Sequence, residues 1–111
     1  MEGKRKDRPI TDTLIEKLEQ AEEPSRELDA AIFEQVVKAN RIALDFSAYT
    51  SSLDAAVALV ERVLPRHRWV IANRTGPKVG GSASVYRDDS LKTAEAPTPA
   101  LALCIALLKA L

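Results

Sequence analysis

Arg62, Arg66, His67, Arg68, Trp69, Arg74, Lys78, Tyr86 and Arg87 are the residues of this 111-residue chain whose types and spacing could do chemistry on a partner. From Arg62 to Arg87 there are six bases and no acid, whereas Pro9 to Glu61 carries eleven acids against four bases. Basic residues interleaved with aromatics on a sheet can neutralise phosphates and stack bases, each stack being worth about 1–3 kcal/mol. Such a local field attracts anions even though the formal net charge of the molecule is zero. Arg66, Arg68, Arg74, Lys78, Tyr86 and Arg87 are therefore the expected binding residues, with Trp69 assigned to the core beneath the last helix. The same polarity has a competing reading, in which the acidic helices and the basic hairpin attract one another within one chain or across a dimer.

Other chemistry finds little support. The loop Thr75 to Gly81 holds three glycines and Lys78, a composition that can cradle phosphate through backbone N–H groups. Its order, G-P-K-V-G-G, lacks the Lys-Ser/Thr pair, and it joins two strands where phosphate loops lead into a helix. A hairpin tip is the expectation. His67 stands alone between Arg66 and Arg68 with no Cys, Asp or Glu at ligand or triad spacing. The acids Glu16, Glu19, Glu22, Glu23 and Glu27 fall mostly on solvent faces without a His or Cys companion. No serine lies in a nucleophile-elbow sequence. The single cysteine, Cys104, sits inside an apolar helix and reads as a small hydrophobe. The expectation is a protein that is not an enzyme and uses no metal or cofactor.

The elements that must position the basic cluster can be read from punctuation and period. Residues 1–10 are charged and read as a flexible basic tail, with residues 11–111 as one domain. Thr13 and Glu16 make a capping box ahead of a first helix ending near Glu23, and Pro24 stops it. Ser25 caps a second helix carrying Leu28, Ala31, Ile32, Gln35 and Val36 on one side, so the helical N-terminal part spans 13–38. Ala39 to Tyr49 has lost helical period and reads as a loop, with an edge strand at 41–46 left open. Ser51 and Asp54 cap a third helix with the stripe Leu53, Ala56, Val57, Val60, Val63 and Leu64, ended by Pro65.

Two extended runs around the Gly/Pro-rich loop read as an antiparallel hairpin, and Leu91 to Ala96 as a possible third strand. Thr98 and Pro99 then open the best-signalled helix in the chain. Lys109 is the one charge among its last twelve residues, so it requires cover on both flanks: a sheet on one side, and a helix or a second subunit on the other. The fold class is α+β, a small antiparallel sheet of two or three strands sandwiched by helices, in the order helix, helix, helix, strand, strand, optional strand, helix. The sandwich core is expected over 50–111. No apolar run follows the charged N-terminus, so a cytoplasmic protein with no membrane partner is expected.

YTSSLDAAVALVERVLP (Tyr49 to Pro65), the tryptophan-bearing strand and EAPTPALALCIALLKAL (Glu95 to Leu111) together resemble the phage ABA sandwich domain family, small proteins of phages and bacterial prophages. The upstream LIEKLEQAEEPSRELDAAIF resembles the helical part common in these proteins, so the resemblance covers residues 14–38 and 49–111. It implies a helix/sheet/helix sandwich and a viral origin, with no catalytic residues to carry over. The arginine-rich first strand and the long hairpin tip depart from the family pattern. Two functions follow as expectations. The first is a phage accessory protein acting by binding, as a homodimer or as an inhibitor of a host defence protein. The second is a binder of phosphate ligands, nucleic acid or a signalling nucleotide, through the basic 62–87 face. The α-β-β-β-α order of the second half is shared with double-stranded RNA binders, but their lysine-rich start to the last helix is absent.

Overall fold

The last helix is the middle of the molecule. In the computed structural model, which describes residues 9–74 and 80–111, this helix (α4, Pro99–Ala110) is buried without interruption from Ala100 to Leu108. Its start is as expected: Thr98 Oγ1 accepts from Leu101 N at 3.1 Å and Pro99 fills the first turn. One flank packs on a three-stranded antiparallel sheet and the others on helices α1 (Pro9–Gln20) and α3 (Leu53–Val63). Both flanks are thus covered within one chain. The apolarity that raised the prospect of a second subunit is satisfied without one.

The sheet is a meander of β1 (Arg68–Arg74), β2 (Gly80–Arg87) and β3 (Ser90–Ala96), in that spatial order. The third strand is therefore present. Asp88 and Asp89 make the β2–β3 turn, and Asp88 takes φ 54°, the positive angle that tight hairpin turns need at their first central residue. Trp69, Ile71, Ala83, Val85 and Ala94 share the face that meets α4, and Trp69 is half-buried against the core. Class and element order match the sequence reading, and the layering refines it. α4 is sandwiched between the sheet and the other helices, and the sheet forms an outer layer with its second face open.

Local details shift in physically intelligible ways. α1 begins at Pro9, a turn before the expected capping box, so Thr13 and Glu16 lie inside it. Of the expected tail, Pro9 and Ile10 are helical and residues 1–8 lie outside the described residues. Leu14 and Leu18, four apart, seal α1 onto the core. α2 (Arg26–Ile32) is capped by Ser25 as expected, its Oγ accepting from Leu28 N at 3.2 Å. The same rod continues as π-helix over Phe33–Lys38. Arg41, at φ 56°, then reverses the chain while Ile42 N donates to Val37 O at 2.9 Å and Arg41 N to Lys38 O at 3.1 Å. That pair of bonds is a Schellman closure, here with arginine where glycine is usual. No strand forms at 41–46. Ile42 and Leu44 pack into the core, while Phe46 makes edge-to-face contacts with Phe33 and Tyr49.

Ser52 caps α3, with Oγ accepting from Ala55 N at 3.2 Å, one residue after the expected Ser51. The buried stripe is accordingly Ala56, Leu59 and Val60, and Leu53 is exposed. The turn before α3 ties that helix to α2 and α4. Thr50 N and Oγ1 donate to buried Asp29 Oδ1 at 2.8 and 2.7 Å, and Ser25 N donates to Thr50 Oγ1 at 3.3 Å. From α4, Thr98 Oγ1 donates to Thr50 O at 3.4 Å and Cys104 Sγ to Tyr49 O at 3.3 Å.

Candidate binding surface

β1 begins five residues after α3 ends at Val63, so Arg66 in the connection and Arg68 at the start of the strand arrive at one corner of the sheet. Antiparallel register brings Arg68 opposite Tyr86, with Arg87 the next residue of β2. Arg66, Arg68, Tyr86, Arg87 and Asp88 line one concavity of about 300 Å³. A neighbouring one of about 230 Å³ shares Arg66 and Arg87 and adds Val63, Leu64, Pro65 and His67. Four of the six expected binding residues therefore meet in space.

Arg74 ends β1 opposite Gly80, six residues and about 20 Å along the strand from Arg68. Lys78 lies outside the described residues. Arg62 is used structurally, its guanidinium donating to Ala43 O and pinning the 42–48 segment onto α3. Asp88 was missed because it falls one residue beyond the acid-free stretch. It shares the concavity, and its carboxylate lies 3.7 Å from Arg87 Nε in an exposed ion pair, which weakens the local field.

Two of the loop glycines have a packing role. A Cβ on Gly81 would stand 2.4 Å from the backbone of Pro99, and one on Gly80 would stand 2.4 Å from Ala96 O. Both belong to β2, where glycine lets the β3–α4 connection pass over the strand. That accounts for them without phosphate.

The open face of the sheet carries Arg68, Val70 and Ala72 from β1, Ser82, Ser84 and Tyr86 from β2, and Leu91, Thr93 and Glu95 from β3. Ser84 and Thr93 are hydrogen-bonded across the strands at 3.0 Å. Val70 and Leu91 are 53% and 62% exposed on either side of Tyr86. Neither stood out in the sequence, because a single exposed apolar residue in a strand signals nothing until its neighbours across the sheet are known.

No protein-family model matches the chain, and no curated protein matches it in sequence. A phage protein from Bacillus cereus ATCC 14579, known from a crystal structure, is similar in fold, with a TM-score of 0.59 over 83% of this chain and 95% of that one. The two are 18% identical in sequence. What is shared is the fold.

Two interior groups are held protonated. Burial pushes the Cys104 thiol well above its usual range, with the nearby Asp29 charge acting in the same direction, so the thiolate is suppressed. Burial likewise raises the Tyr49 phenol, whose hydroxyl donates to Asp45 O at 2.8 Å. Among the described residues no group of three or more His, Cys, Asp or Glu is placed to hold a metal ion, and no helix is long and apolar enough to cross a membrane.

Proposed function

We propose that this chain is a non-enzymatic phage or prophage accessory protein, akin to the ABA sandwich proteins, that acts in the host cytoplasm by binding a host protein through the open side of its sheet. Inhibition of a defence protein is the role that fits such a binder. The observation that carries the reading is the pair Val70 and Leu91, exposed around Tyr86 on a sheet face left free by α4. Exposed apolar groups clustered beside polar and basic ones are the usual composition of a protein-binding patch. The likeness to a phage protein supports the setting. The test is retention of host proteins from a bacterial lysate by the immobilised chain and by the variants Val70→Glu and Leu91→Glu. The reading expects a protein held by the wild type and lost by both variants at unchanged melting temperature. Retention of nothing, or equal retention by all three, refutes it.

One observation favours a second reading, that of a phosphate-ligand binder: Arg66, Arg68, Tyr86 and Arg87 line a single concavity. It expects nucleotides or short duplexes to bind with an affinity that falls steeply with salt. α4 opens with buried apolar residues, so the contact that double-stranded RNA binders make there has no counterpart.

A further inference from the structure

The two edges of the sheet differ. β3 is guarded: Lys109 Nζ, on α4, donates to the carbonyl of Thr93 at 3.3 Å and is itself held 3.2 Å from Glu19 on α1. A charge laid on an edge strand's backbone is one of the devices that stop further strands from adding. No such guard lies on β1 among the described residues. Among the described residues, the hydrogen bonds outside the β1–β2 ladder leave the backbone of residues 68–73 untouched. Arg68, Val70, Ala72 and Asn73 are all exposed there.

Charge decides what this edge can accept. A second copy pairing antiparallel about Ile71 would set Arg68 of one chain opposite Arg74 of the other, twice over, and like charges directly opposite are destabilising. The stretch 62–87 itself supplies no acid, and Asp88 at the corner is paired with Arg87. An incoming strand with two acids six residues apart, which alternation puts on one face, would bring them to the register positions of Arg68 and Arg74. Between them a β-branched or apolar residue would lie beside Val70. We propose that β1 is a docking edge for an extended acidic segment of a partner protein, which would become the fourth strand of the sheet. The proposal rests on the reading that the chain binds a protein, and it names the edge and the chemistry of the captured segment.

The test is a titration of the isotope-labelled full chain with a capped synthetic peptide, EVTVTVE, followed by amide chemical shifts and hydrogen exchange. Two control peptides are KVTVTVK, of opposite charge, and EVPVPVE, of equal charge but without the backbone N–H groups that a ladder needs. The expected result is that EVTVTVE shifts the amides of residues 68–73 and slows their exchange at least tenfold. Both controls should leave them unchanged, and Arg68→Glu should weaken EVTVTVE at least tenfold. Equal binding of EVPVPVE, or shifts confined to Arg66, Tyr86 and Arg87, would overturn strand addition and leave charge attraction alone. No response to EVTVTVE, together with a host protein still lost by Val70→Glu and Leu91→Glu, would defeat the edge proposal and keep the binding reading. Loss of both would end both.

Discussion

Thr50→Val probes the knot that holds α2, α3 and α4 in register, with little change in side-chain volume. It deletes the hydroxyl that donates to Asp29 Oδ1 at 2.7 Å and accepts from Ser25 N at 3.3 Å, leaving Asp29 only Thr50 N at 2.8 Å. Asp29 is 3% exposed, so water cannot readily replace the lost donor. A hydrogen bond to a charged group is worth about 1.5–3 kcal/mol. Adding the weakened Ser25 N–H, the expected loss is about 2–3 kcal/mol, or roughly 8–12 °C in melting temperature for a domain of this size. Urea titration followed by far-ultraviolet circular dichroism measures it, and the m-value should not change. Thr50→Ser keeps the hydroxyl and should lose less than about 1 kcal/mol. In a double-mutant cycle with Asp29→Ala, a coupling of about 1–2 kcal/mol is expected. A loss below about 0.5 kcal/mol for Thr50→Val, or strict additivity in the cycle, would refute the knot.

Gly81→Ala should destabilise by about 3 kcal/mol, read from the urea midpoint, because the added Cβ meets Pro99 backbone that cannot swing aside. Cys104 and Tyr49 both keep their protons to higher pH in the folded than in the unfolded chain, from usual values of 9.0 and 10.0. Stability is therefore full below pH 9.0 and falls as pH rises above it, since the unfolded chain then releases protons that the folded one retains. Cys104→Ala should be less stable at neutral pH but show a flatter decline above it, and native Cys104 should resist iodoacetamide. Lys109→Met removes the guard on β3 and should produce concentration-dependent association by light scattering where the wild type shows none. If a nucleic acid binds at the corner concavity, Arg66→Ala with Arg68→Ala should lower the salt slope of its affinity by about 2.

The elements were legible where a local signal and a global need coincided. Thr98 and Pro99 announce α4, and its unbroken apolarity announces its burial, so its place at the centre follows from both. The hairpin was legible from strand formers around Gly and Pro. Choices between equivalent neighbours were not legible: Ser51 and Ser52 are both competent caps, and only the packing of Leu59 rather than Leu53 selects the second. The Schellman closure at Arg41 was hidden because the residue adopting positive φ is not glycine. At the surface, the sequence pattern singled out Arg66, Arg68, Tyr86 and Arg87, and these four meet at one corner because helix end and strand start are adjacent in the chain. It overestimated the field, because the turn that follows brings Asp88 back into the same space. Gly80 and Gly81 looked like a loop feature until the β3–α4 connection was seen to cross them.

α4 is covered within one chain, so the open side of the sheet is the surface proposed for binding. Amide hydrogen exchange at low and high protein concentration tests this most directly. Residues 101–108 should be the slowest to exchange, at rates independent of concentration, while residues 68–73 exchange fastest among the strands. Protection of 101–108 that appears only as concentration rises would show that a second subunit covers α4, and would contradict the account.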